Sequence, residues 1–139
     1  MNKVRLLTIL ILLVYSSCFT EIERKYLTTA TIFLINETSV VIKSDDTLGY
    51  VIQPGETIIH TESNTLDGDR PSINEYFLSF LYNKNVFRYE DNELKCEPKI
   101  FSIEYYENKK ELKQDGDTLI FEFTFRFTEE KKADAKICN

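Results

Sequence analysis

From Leu119 to Phe127 the chain alternates almost without a break. Leu119, Phe121, Phe123, Phe125 and Phe127 are apolar, and Glu122, Thr124 and Arg126 fall between them. A period of two predicts a strand with one face in a core and the other in water. Asp115-Gly116 just before it is a turn signal. Less regular strands are expected at Thr28–Ile35, Ser39–Lys43, Tyr50–Gln53, Glu56–Thr61, Val86–Tyr89 and Ile100–Tyr106. Asn36-Glu37-Thr38, Pro54-Gly55 and Asn83-Lys84-Asn85 supply turns between them. Short strands at this spacing, separated by turn residues, predict an all-β domain over 26–139. The expected form is a single antiparallel β-sandwich, immunoglobulin-like or similar.

Three stretches fit that pattern less well. Ser72-x-x-Glu75 has the form of a helix capping box, with Ile73, Tyr76, Phe77, Phe80 and Leu81 at helical spacing. Tyr76, Leu78, Phe80 and Tyr82 also alternate, so 72–82 is expected as a strand with a short helical turn near Ile73. Glu62–Pro71 is the longest polar stretch and reads as a loop. Ala133–Cys138 is expected as a last strand or a tail tied down by Cys138.

The N-terminus follows a different pattern. Lys3 and Arg5 precede the apolar run Leu6–Val14, and Tyr15-Ser16-Ser17-Cys18 follows. Charge, a short apolar stretch and small residues are the marks of a secretory signal peptide. The run is well short of the roughly 20 apolar residues that span a bilayer, and Glu21, Glu23, Arg24 and Lys25 follow closely. A cysteine at the end of such a leader is the pattern of a bacterial lipoprotein signal. Residues 1–17 are then the leader, Cys18 carries lipid of the palmitate class, and 18–25 form a short tether. Tyr15 stands where Leu, Val or Ile is usual.

The cysteine count bears on the same point. The chain has three, and an odd number in an exported protein leaves one thiol for another use. Lipid on Cys18 leaves Cys96 and Cys138, which an oxidising envelope permits to pair. The formal net charge is −6, and it is more negative still once Lys3 and Arg5 leave with the signal. An acidic surface excludes general binding to nucleic acid phosphates. It also excludes adsorption to anionic lipid by a basic patch, so the membrane is reached through the anchor on Cys18.

Candidate chemistry is sparse. His60 is the single histidine and reads as a solvated or structural residue. No cysteine pair has zinc-ligand spacing. Asp67-Gly68-Asp69 offers carboxylates without the calcium-loop pattern and reads as a turn. No metal, cofactor or catalytic residue is assigned. Asn36-Glu37-Thr38 matches an N-glycosylation sequon. Asp46-Thr47-Leu48 and Asp117-Thr118-Leu119 resemble O-glycosylation motifs of Bacteroidetes envelope proteins, with Thr47 and Thr118 as acceptors. Ten Phe, eight Tyr and no Trp fit a core better than a sugar platform. Tyr105 and Tyr106 are adjacent, so one of the two is expected to face outward.

Ile35-Asn36-Glu37-Thr38, Ile52-Gln53-Pro54-Gly55-Glu56 and Phe123–Glu130 occur in this order along the chain. With the aromatic stretch Phe77–Tyr89 between them, they resemble small uncharacterised envelope lipoproteins of Bacteroidetes. The likeness spans most of the mature chain through short, structural motifs, and no catalytic residue comes with it. It implies an all-β domain anchored in the cell envelope, in the periplasm or at the cell surface. The expected function is non-catalytic binding of a protein, peptide or glycan through a strand edge or loops. The alternatives are an envelope hydrolase using acids of the 62–71 loop, or an inhibitor of an envelope enzyme.

Overall fold

The computed structural model describes residues 24–44, 49–81 and 86–138. The expected leader, Cys18 and Thr47 lie outside them. Two sheets pack into an all-β sandwich. The first has the order β4-β1-β8-β7, built from β1 (Lys25–Asn36), β4 (Thr57–Asp67), β7 (Glu107–Asp115) and β8 (Thr118–Phe127). The second has the order β3-β2-β5-β6-β9. Its strands are β2 (Val41–Ser44), β3 (Val51–Ile52), β5 (Phe87–Glu90), β6 (Lys95–Cys96) and β9 (Lys136–Ile137). β1 begins at Lys25, so the last residue of the expected tether is already paired, with Asp67.

β1 and β8 hold the centre of the first sheet because both alternate most cleanly. Tyr26, Ala30, Ile32 and Leu34 of β1 turn inward with Leu119, Phe121, Phe123, Phe125 and Phe127 of β8. These two strands run parallel, and every other neighbouring pair is antiparallel. A parallel pair requires a long crossover, and here that crossover is nearly the whole domain. Phe127 meets Phe87 at 5.6 Å and Tyr89 at 6.1 Å between ring centroids, across the two sheets. Burial of each such side chain stabilises the fold by roughly 1.5–3 kcal/mol.

Asn36 determines where the chain changes sheet. Its side-chain amide donates to the carbonyls of Val40 at 2.8 Å and Ile52 at 2.9 Å. Its Oδ1 accepts from the Thr38 N–H and hydroxyl at 2.9 and 2.7 Å. The expected return strand after Thr38 therefore crosses into the second sheet as β2, and it does not pair with β1. Gly55, at φ 78°, then takes the left-handed conformation that the Pro54-Gly55 turn requires.

Three sequence expectations are corrected. Glu62–Asp67 is strand, the continuation of β4, and the loop begins only at Gly68. Residues 72–82 hold no strand among those described. Ile73–Glu75 and Ser79–Leu81 are 3-10 turns, the first capped by the Ser72 hydroxyl. Ile100–Tyr106 is not a strand either, because 3-10 turns occupy Pro98–Phe101 and Ile103–Tyr105. Before the final strand stands a short helix, α1 (Glu129–Asp134). The Thr128 side chain caps it on the Lys131 N–H, with acids in its first turn and lysines in its last. β9 follows, and the Cys96–Cys138 disulfide, with 5.1 Å between Cα atoms, ties this end to β6.

Candidate functional site

The 3-10 segments 73–81 and 98–105 come together and enclose an open cleft of about 350 Å³. Glu75, Tyr76, Phe77, Leu78 and Leu81 line one side, and Phe101, Ser102 and Ile103 line the other. The spacing of the apolar residues explains both the turns and the cleft. Ile100, Ile103 and Tyr106 recur every third residue, which is the 3-10 repeat. Ile100 and Tyr106 are buried and Ile103 packs against the core. Phe101 falls between them and is left outside, 46% exposed. Tyr76 and Leu78 are likewise buried while Phe77 is 58% exposed. Two phenylalanines thus flank the cleft at its rim.

Buried Tyr76 lines the cleft, and buried Tyr106 packs in the core near it. Tyr76 stacks on Phe123 at 5.3 Å and meets Phe121 edge-on at 5.4 Å. Its hydroxyl accepts from Asn64 Nδ2 at 3.2 Å. Burial, with the Glu62 charge nearby, pushes that hydroxyl up to about 12. Tyr106 donates to the Ile100 carbonyl at 2.9 Å. Burial raises its hydroxyl well above the ordinary tyrosine value. Both remain neutral at physiological pH. Of the adjacent pair, Tyr105 faces outward and Tyr106 inward, as expected, although on a turn and not on a strand.

Glu62 holds one wall of the cleft. It lies on the inner face of β4, and its carboxylate accepts from three donors on the turn that carries Leu81. These are the Ser79 N–H at 3.1 Å, the Ser79 hydroxyl at 2.8 Å and the Phe80 N–H at 2.9 Å. Burial by itself raises the carboxyl. Contacts with His60, Ser79 and Phe80 outweigh it and hold the group below the ordinary glutamate value.

His60 stands beside Glu62, with Nε2 3.7 Å from Glu62 Oε2. Its Nδ1 is 2.8 Å from the Tyr50 hydroxyl, and its ring lies on Phe80 at 4.6 Å. With Tyr50 donating to Nδ1, the ring proton sits on Nε2 and faces the carboxylate. Burial raises the Tyr50 hydroxyl, in keeping with a donor role. The Ser79 hydroxyl is bound to Glu62 and not to the imidazole, so the group lacks the nucleophile–base contact of covalent catalysis. Its chemistry is positional, fixing the 79–81 turn against β4.

The remaining candidate residues are dispersed. Thr118 opens β8, half-buried, next to the Gly116 turn. Asn36 is fully buried with its amide engaged, which leaves no room for a glycan. Asp67 pairs with Lys25 at 3.7 Å on the surface. Among the described residues no group of three or more His, Cys, Asp or Glu is placed to hold a metal ion. The 62–71 acids do not converge, since Glu62 points inward and Asp67 and Asp69 are exposed.

A polar strand reading as a loop concealed Glu62. The one available signal was Thr57, Ile59, Thr61, Ser63 and Thr65 at alternate positions, a β-branched and hydroxyl pattern that favours a strand. The chain matches no protein-family model, no curated protein and no solved structure.

Proposed function

We propose that this chain is a non-catalytic binding module, held at a bacterial envelope membrane by lipid on Cys18. It takes an apolar side chain of a protein or peptide partner into the cleft between its 3-10 segments. The observation that carries the reading is the cleft itself. Phe77 and Phe101 stand exposed on it, and buried Tyr76, Leu78 and Leu81 complete its apolar lining. Exposed aromatics around a concave apolar site are the usual anchors of recognition. The leader pattern supports the anchor. So does the disulfide, because pairing Cys96 with Cys138 leaves Cys18 as the remaining thiol.

Two measurements test this. A photo-reactive residue replacing Phe77 in the full chain, irradiated in intact cells, should give a discrete adduct that Phe101→Asp abolishes. Labelled palmitate should enter the parent and not Cys18→Ala. Absence of any Phe101-dependent adduct would refute the cleft reading, and label retained in Cys18→Ala would refute the anchor.

A further inference from the structure

The two edges of the first sheet are built in opposite ways. β7 carries register shifts at Glu107/Lys110 and Glu111/Lys113, and its sequence includes the lysines Lys109 and Lys110. Bulges and lysines are the devices that keep an edge strand from pairing with another chain. The edges of the second sheet, β3 and β9, are two residues long each. β4 has none of this protection. It pairs with β1 in unbroken register from Asp67 to Thr57, and it contains no proline, glycine, lysine or arginine.

The direction of its open hydrogen-bonding groups is fixed by the ladder. Asn36 N–H donates to the Glu56 carbonyl, and Gly68 N–H to the Arg24 carbonyl. Hydrogen-bonding groups alternate sides along a strand. Ile58, His60, Glu62, Asn64 and Leu66 therefore face β1. Thr57, Ile59, Thr61, Ser63 and Thr65 turn their N–H and C=O groups to an edge that no described strand covers, and all five residues are exposed. Only an extended strand satisfies such a row.

We propose that the occupant is a second copy of this chain, joined β4 to β4 in antiparallel register about a two-fold axis at Thr61. That register pairs Thr61 with itself, Ile59 with Ser63 and Thr57 with Thr65, so every open group finds a partner. It is also the register that keeps the two Glu62 carboxylates apart. His60 of each copy falls opposite Glu62 of the other. Moving the axis to Glu62 sets two carboxylates against each other, and moving it to His60 sets two imidazoles against each other. The edge-facing side chains are neutral, so an acidic chain meets itself there without direct repulsion. The joined sheets form one continuous surface, and no residue of β4 lines the cleft.

Cysteine cross-linking of the full chain in intact cells tests the register. Residues paired across the axis have Cα atoms about 5.5 Å apart, within disulfide range. Thr61→Cys alone should cross-link to a dimer of twice the chain mass. Thr57→Cys and Thr65→Cys should do so only when co-expressed. Leu112→Cys on the β7 edge and the parent chain serve as background. Thr61→Lys, which sets two ammonium groups together at the axis, and Thr61→Pro, which removes an edge N–H outside the β1 ladder, should each sediment as monomers. Cross-linking at Thr61 no greater than at Leu112 would overturn the proposal, as would adducts to a different protein or a Thr61→Lys variant that still dimerises.

Discussion

Ser79 holds Glu62 twice, through its N–H at 3.1 Å and its hydroxyl at 2.8 Å. The two residues come from different elements, a 3-10 turn and the inner face of β4. Their contact orients one wall of the apolar cleft. A charge at this depth is tolerated because donors surround it.

Removal of that charge should unfasten the wall. Glu62→Ala leaves the Ser79 and Phe80 N–H groups without their acceptor and should lower stability by about 3 kcal/mol. Glu62→Gln keeps the shape but turns a donor toward donors, and should lower it by about 1–2 kcal/mol. Urea unfolding gives both values. Equal stability of the alanine variant and the parent would contradict the assigned role.

Acid should act at the same place. The Glu62 carboxyl lies below its ordinary value of 4.5 in the folded chain. Its contribution is therefore fully present above that value and is lost as pH falls through the lower folded one. Stability should drop below about pH 4.5 more steeply in the parent than in Glu62→Gln. Parallel slopes for the two in a pH series of unfolding curves would assign the acid sensitivity to other groups.

The disulfide should matter most for the C-terminal end. Cys96 and Cys138 close a loop of 42 residues, for which chain entropy gives at most ~4 kcal/mol. Cys96→Ser/Cys138→Ser should unfold at lower urea and expose the β9 amides to hydrogen exchange first. The oxidised parent should run faster than its reduced form on a gel, and the double variant should run the same in both conditions. Free thiols titrated at both positions would end this prediction.

Asn36 joins β1, the Thr38 turn and β3 through four hydrogen bonds. Asn36→Ala should cost about 3 kcal/mol or more, since buried carbonyls and a buried hydroxyl lose their partners together. Asn36→Asp should also destabilise, because the Val40 and Ile52 carbonyls would face an oxygen in place of a donor. Unfolding midpoints near that of the parent would refute the linking role.

The strand with the cleanest alternation, β8, was legible because all its inward positions are apolar. β4 was legible only as far as Thr61. Its next inward residues, Glu62 and Asn64, are polar and find buried partners in Ser79 and Tyr76, so hydrophobic periodicity fades where tertiary contacts begin. β7 shows no apolar face because it is an edge strand, with Leu112 more than half exposed. In 98–106, Ile100, Ile103 and Tyr106 repeat every third residue, and aromatic content masked that period. Nothing in the composition marks Phe77 and Phe101 as exposed, and only the turns on which they stand bring them to the surface.

The parallel union of β1 and β8 also dictates when the protein can fold. Leu27 must wait for Thr118, so the central pair of the first sheet joins the two ends of the domain. No N-terminal fragment contains its own core, and closing so long a loop precedes most of the favourable contacts. Folding should therefore occur in a single step after the whole chain is released, on the millisecond-to-second scale of non-local β proteins. A chain truncated before Thr118 should gain no protected amides in β1.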